Sequence, residues 1–342
     1  MKLGLQLGYW GQGPNPFHVP LAQEAEKLGF DSVWVAESWG NDAFSFATWI
    51  AAHTERVRIC TGVVQMSGRT PTSCAMHAIT VDHLSNGRFG LGLGLSGPQV
   101  VEGWYGQPYG KPLKRTREYI DIVRQVLARG ADGVQFDGEF YQLPYHGPNS
   151  WEMGKPLKVM THPLRKDLPI YLGAEGPKNV ALAAEIADGW LPLYYCPTKP
   201  EVYDTLGTPG PDFEIAVNLM GCQVTADDRP ETIEAALAGT RAALGFYIGG
   251  MGHKSRNFHK ELMGRMGYER EADTIQDLFF EGKRDEAIAA VPVAFADEIG
   301  LVGTKARIRD RLAAWEASPV TTVICSGGPD TLRDMAEIVG SI

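Results

Sequence analysis

Along this chain, short apolar runs rich in Val, Ile and Leu alternate with longer stretches of helical spacing. Residues 3–9, 32–36, 57–64 and 88–95 read as the first four strands. They are nearly unbroken in hydrophobicity, as expected of parallel strands covered on both faces. Between them, 18–28, 42–53 and 72–84 carry apolar residues three and four apart, the helical period. Gly29 and Asn86-Gly87 suit helix ends, and Asp42 suits an N-cap. After a long helix over 114–129, further strands are expected at 169–173, 190–194, 214–224 and 320–325. Helices over 305–317 and 330–339 flank the last of them. Eight strands alternating with helices favour an α/β fold of the closed (β/α)8 TIM-barrel type over an open doubly wound sheet. A single domain over 1–342 is expected, with excursions over about 130–168, before strand five, and 226–298, between strands seven and eight. Insertions of this length serve more often as lids or binding loops than as idle linkers.

Candidate chemistry gathers where strands end, since that rim carries the site in such barrels. The stretch from Ile170 to Trp190 reads as strand, tight turn and helix, with Pro177 in the first helical turn. A turn opening into a helix presents backbone N–H groups at the positive end of the helix dipole, a seat for phosphate. Gly92-Leu-Gly-Leu-Ser-Gly97 matches a dinucleotide fingerprint, but Pro98 follows and no helix is expected to start there. Gly92 and Gly94 are instead expected inside strand four, with Ser96 and Gly97 at its tip. Glu37-Ser38-Trp39 follows strand two: Glu37 suits acid–base work or the capping of the next helix, and Trp39 could floor a planar ring. Tyr9, Trp10, Trp39, Trp104 and Tyr105 all follow strands, which suggests an apolar pocket for a flat ligand.

Composition narrows the partners. A net charge of -9 over 342 residues disfavours nucleic acid or an anionic membrane. The chain enters a strand at once, with no leader pattern, and no apolar run reaches spanning length. Its five cysteines are scattered without a C-x-x-C pair, so buried thiols in the cytoplasm are expected rather than disulfides or zinc. The histidines show no ligand spacing, and no metal is expected.

The start Lys2-Leu-Gly-Leu-Gln-Leu-Gly8, the stretch Leu28 to Glu37, and Asn86 to Gly94 together resemble the luciferase-like flavin-dependent superfamily. Trp104 to Tyr109, Leu172 to Pro177 and Ile299 to Thr304 extend the likeness over essentially the whole chain. Within the superfamily it looks most like the coenzyme F420-dependent oxidoreductases of actinobacteria. The resemblance implies a barrel, usually dimeric, with a deazaflavin (or, as the alternative, FMN) across its C-terminal mouth. It further implies a non-prolyl cis peptide at Gly62–Val63 backing the ring, with Gln65 close by. Ser96 and Gly97 would meet the cofactor's ribityl chain or ring edge, and Ala174, Glu175, Gly176, Pro177, Lys178 and Asn179 its phosphate. The second insertion, with its glycine-rich Tyr247 to His253, is expected either to close over the cofactor tail, Lys254 and Arg256 meeting its carboxylates, or to form a surface helix pair without ligand contact. Sugar-phosphate dehydrogenases of this group carry an Asp-His pair after strand two and a Glu after strand four; here Glu37-Ser38 and Gly97 stand there, which argues against phosphosugar oxidation. The reaction implied is hydride transfer between deazaflavin and a small apolar alcohol, carbonyl or activated alkene. Tyr9, Trp10, Trp104 and Tyr194 are the expected pocket, with Glu37, Ser38 and Trp39 at the chemistry. An FMN-dependent monooxygenase and a flavin carrier without turnover remain the alternatives.

Overall fold

The computed structural model describes residues 1–340. Eight parallel strands close on themselves: β1 (Lys2–Gln6), β2 (Ser32–Val35), β3 (Arg58–Thr61), β4 (Phe89–Gly94), β5 (Ile170–Gly173), β6 (Gly189–Leu191), β7 (Glu214–Asn218) and β8 (Thr322–Cys325). Each pairs with the next, and β1 pairs with both β2 and β8. The expected barrel is therefore present. Its connecting helices start where short polar side chains take up free amides: Asp42 accepts from Ser45 N, Thr70 from Ser73 N and Thr304 from Arg307 N. Gly29 (φ 76°) and Gly87 (φ 78°) adopt the left-handed conformation that ends a helix at little cost.

Inside the barrel, Trp34, Cys60, Tyr171, Ala216 and Ile324 form one buried cluster, with Trp34 and Tyr171 packed edge to face at 5.3 Å. Outside it, the apolar faces of strands and helices merge into a second, continuous core. The N-terminal end of the barrel is closed by polar groups that satisfy one another. Arg58 donates to Asp31 (Nε, 3.0 Å), to Tyr171 Oη (2.9 Å) and to Glu214 (3.1 Å), and Lys2 Nζ reaches Glu214 at 2.7 Å. Tyr171 Oη also donates to Glu214.

Three expectations need correction. Strand three does not run unbroken to 64: it stops at Thr61 and resumes as Val64–Gln65. The register against β4 slips by one residue between the pairs Cys60↔Gly90 and Val64↔Leu93, the signature of a bulge. Strand seven does not run to 224. After Asn218 the chain leaves the barrel, and Cys222–Val224 pairs in parallel with Leu301–Gly303 as a separate ribbon; an apolar run alone cannot tell one strand from two. Finally, a helix does start after Gly97, spanning Pro98–Gly103, because Pro98 supplies the φ that a first helical residue needs. The excursion over 226–298 is mainly helical, and no helix among the described residues is long and apolar enough to cross a membrane.

Candidate active site

Because all eight strands run one way, their C-terminal ends share one rim, and the sequence-derived candidates other than Lys254 and Arg256 follow strands on that side. The bulge after β3 is the most distinctive element. Its Gly62–Val63 peptide is cis, as the resemblance implied. The Thr61 hydroxyl spans the gap that the bulge leaves in the ladder, accepting from Gly92 N (2.8 Å) and donating to Gly92 O (2.9 Å). Two glycines make room for it. A Cβ on Gly92 would overlap the Thr61 carbonyl oxygen, and one on Gly94 would overlap the Val63 side chain. On β5, a Cβ at Gly173 would stand 3.2 Å from Val63 Cγ1. Gly92 and Gly94 therefore do sit within a strand, clearing one stretch of wall shared by β3, β4 and β5. Ser96, at the tip of β4, holds φ at 61°, a conformation non-glycine residues seldom adopt and one that clusters at functional sites. Gly97 is the N-cap residue of the short helix that follows.

Glu37 is buried, and both of its oxygens are engaged: Arg69 Nη1 donates to Oε1 at 2.8 Å and Ala43 N to Oε2 at 3.2 Å. Arg69 also pairs with Asp42. Of the two readings left open for Glu37, this geometry is that of a cap and ion-pair partner. Ser38 is half-buried and Trp39 is 43% exposed. Tyr9 and Trp104 are exposed, whereas Trp10 packs edge-on against Phe46 at 5.2 Å. Tyr105 lies over Gly68.

The turn after β5 forms as expected, with Gly176 as N-cap and Pro177 opening the helix Pro177–Ile186. Ala174 is buried, Pro177 and Lys178 are exposed, and Glu175, Gly176 and Asn179 lie between. Pro177 has no N–H, and the amides of Asn179 and Val180 both donate to Gly176 O at 2.9 Å. The second insertion touches this turn twice. Arg265 Nη2 donates to Glu175 O at 2.7 Å, and His259 Nδ1 stands 2.8 Å from Glu175 Oε2, close but off the line of a directed hydrogen bond. Tyr194, just past β6, is wholly buried beneath the same insertion, its ring 6.0 Å from that of His259. Burial, then the neighbouring Glu175 and Tyr247, push its hydroxyl well above the usual tyrosine range. Tyr247 Oη lies 3.4 Å from Tyr9 Oη, and Gln99 Nε2 donates to Met251 O at 3.2 Å. Lys254 and Arg256 line an outer cleft of about 630 Å³ shared with Lys260 and Arg265.

Sequence reasoning missed Arg69, Tyr247, His259 and Arg265. Only Tyr247 lay in a motif singled out, and nothing local marks the others. Buried side-chain atoms without a partner include Trp10 Nε1, Gln65 Oε1, Gln99 Oε1, Glu175 Oε2, Asn179 Oδ1, Tyr194 Oη and Asn218 Oδ1 beyond the strand ends, with others, such as Thr322 Oγ1 at the start of β8, elsewhere. Such atoms are costly, and a site awaiting a polar ligand accounts for them. No group of three His, Cys, Asp or Glu among the described residues is arranged to hold a metal.

Comparison with known proteins agrees with this arrangement. The profile of the luciferase-like monooxygenase family matches residues 11–322. A protein of Mycobacterium tuberculosis, named provisionally as a coenzyme F420-dependent oxidoreductase, is 50% identical over 99% of each chain. Among solved structures, the coenzyme F420-dependent tetrahydromethanopterin reductase of Methanopyrus kandleri superposes with a TM-score of 0.76 at 20% identity, covering 98% of this chain and 97% of that one. An F420-dependent secondary alcohol dehydrogenase, bound to an F420–acetone adduct, gives 0.70 at 17% identity over 99% and 98%. At those identities the two structures speak for the fold alone. The family profile over residues 11–322 and the full-length relative at 50% identity agree: the chain belongs to the luciferase-like monooxygenase family.

Proposed function

We propose that this protein is a coenzyme F420-dependent oxidoreductase, moving a hydride between the deazaflavin and a small apolar alcohol, carbonyl or activated alkene. The carrying observation is the bulge at Gly62–Val63, seated against Gly92, Gly94 and Gly173 at the barrel mouth, beside buried polar atoms of the rim that lack partners. A flat, polar-tailed group fits both halves of that description. The relative at 50% identity over the full chain supports the same reading.

In this reading the cofactor supplies the two-electron chemistry, and the protein supplies orientation and a dry pocket. Gly62, Val63 and Gln65 back the ring, and Ser96 and Gly97 meet its edge or the ribityl chain. Ala174 to Asn179 hold the phosphate, with Arg265 as a cation at the same turn. Lys254 and Arg256 face the tail from the outer cleft. Tyr9, Trp10, Trp39 and Trp104 flank the substrate, and their apolar surfaces favour an uncharged one. Glu37 fixes Arg69 and the start of the helix Ala43–Ala51, which leaves the half-buried Ser38 beside it for the polar role in that loop. The chain works as one barrel unit in a cytoplasmic homodimer, with neither nucleic acid nor membrane as partner.

The test is direct. Incubated with coenzyme F420 or FMN and then desalted, the protein is expected to retain deazaflavin fluorescence and to shed FMN. Retention of FMN alone would transfer the reading to an FMN-dependent monooxygenase. Deazaflavin retained, but neither bleached by any of a panel of alcohols nor, once reduced, reoxidised by carbonyls or alkenes, would favour a carrier.

A further inference from the structure

Of the five cysteines, Cys60, Cys74, Cys196 and Cys325 are buried, and Cys222 alone is half-buried. Cys222 is also the one that meets a second thiol, and the alternation along β8 explains how. Ile324 belongs to the cluster inside the barrel, so the next residue, Cys325, points outward into the core between strands and helices. Leu5, its register partner on β1, belongs to that same outer core. The chain leaving β7 runs alongside, Leu219 N donating to Ile324 O at 2.9 Å. It then turns out of the barrel through Met220 and Gly221. Cys222 enters the ribbon opposite Leu301, packed against the core that holds Cys325, and the two thiols lie against each other. The other three have no such neighbour: Cys196 Sγ lies 3.2 Å from the Thr198 hydroxyl, Cys60 faces the barrel interior, and Cys74 is sealed within the helix Pro71–Leu84.

We propose that Cys222 and Cys325 form an oxidation site, at which a hydroperoxide converts the two thiols into a disulfide that ties the ribbon, in its present place, to the last barrel strand. Exposure sets the order of events. The sulfur of Cys222 attacks the peroxide, the O–O bond breaks, and a sulfenic acid and one water are formed. The Cys325 sulfur then attacks the sulfenic sulfur; the S–O bond breaks, and the departing hydroxide takes the Cys325 proton as a second water. Two thiols have given up two electrons and two protons, and one hydrogen peroxide has become two waters. Cys222, and then burial, push the Cys325 thiol well above the usual thiol range, so Cys325 stays protonated and does not meet the oxidant first. In a reducing compartment such a pair remains a dithiol until an oxidant arrives. The bond closes a loop of about 100 residues that contains the whole excursion over 226–298, and loops of that length lose most freedom on cross-linking. Neither step involves the deazaflavin.

The test uses reduced, desalted full-length protein titrated with hydrogen peroxide, with free thiols counted after denaturation and peptides mapped without reductant. The five thiols should fall to three, the intact mass should drop by two hydrogens, and the Cys222 and Cys325 peptides should be joined until dithiothreitol is added. The melting temperature of the oxidised protein should rise by roughly 3 °C or more. Cys222→Ser should keep its four remaining thiols under the same peroxide. Cys325→Ala should stop at the Cys222 sulfenic acid, captured by dimedone. The latter opens a gap in the core, so Cys222→Ser, at a half-buried position, carries the comparison if Cys325→Ala does not fold. Five thiols persisting, a link between two copies of the chain, a link through Cys60, Cys74 or Cys196, or Cys222 oxidised without a bond to Cys325 would each overturn the proposal. So would an internal Cys222–Cys325 link that leaves the melting temperature unchanged or lower, because the ribbon would then have been pulled from its place.

Discussion

At the N-terminal end of the barrel, Arg58, Asp31, Tyr171, Glu214 and Lys2 engage one another. At the C-terminal end, Gln65, Gln99, Asn179, Tyr194 and Asn218 each keep a buried polar atom with no partner. Both ends belong to the same eight strands, the lower network partly solvent-exposed and the upper atoms buried, and the contrast goes beyond burial. It lies in whether the polar groups find their partners within the chain. A closed network favours the native fold over any other, whereas an open one weakens the free protein unless water or a ligand meets its atoms. The lower end of this barrel carries a closed ionic network beside one unpartnered hydroxyl, Thr322 Oγ1, and the upper end carries several open polar groups that a ligand or water would meet.

The contrast can be broken from below. Arg58→Met would strand Asp31 and Glu214 without their cation, and breaking such a network costs on the order of 3 kcal/mol. Urea unfolding should register that loss, while ligand affinity of the folded fraction stays native. Next in size is Gly92→Ala at the junction of the two ends. The added methyl meets the Thr61 carbonyl, and overpacking of this kind costs about 1–3 kcal/mol. Here stability and deazaflavin retention should fall together, since the bulge itself is displaced.

A rim substitution sharpens the comparison. Gln65→Leu deletes an unpartnered amide oxygen, so melting of the free protein should hold or rise, whereas deazaflavin affinity should fall by up to about tenfold. Equal losses of stability and affinity would mean that Gln65 serves the fold instead. The smallest effect concerns pH. Burial alone would raise the Glu214 carboxyl, but bonds from Lys2, Tyr171 and Arg58 outweigh it and hold it down, from 4.5 to about 2. The stability this group adds is therefore complete above the ordinary carboxylate range and is lost as pH falls toward about 2. Glu214→Gln should flatten that acid limb of a stability–pH curve, and an unchanged slope would reassign the acid sensitivity to other carboxylates.

How much of this was legible beforehand depends on how far apart the interacting residues lie. The cap at Asp42, the stops at Gly29 and Gly87, and the strand–turn–helix from Ile170 each depend on neighbours a few positions away, and each was readable. The barrel was readable because its strands repeat one local pattern. The limit shows at Glu37, where position alone allowed two roles and the choice turned on Arg69, 32 residues later. His259 and Glu175 are 84 residues apart in sequence, and neither has a local pattern that marks the other. The cis bond at Gly62–Val63 was anticipated only through resemblance, since spacing and hydropathy carry no trace of it. The break in strand seven was missed for a related reason: Cys222–Val224 is as strand-like as the residues before it, and its true partner, Leu301–Gly303, comes much later.

That short parallel ribbon has a mechanical corollary. It binds the residues just before the long helical excursion to those just after it, and Asp228 reinforces the junction by accepting from Thr304 N at 2.7 Å. The excursion is consequently stapled shut at its base, like a page held along its spine. Any movement of the excursion should be a swing about that base, returning Tyr247 and His259 to the same places.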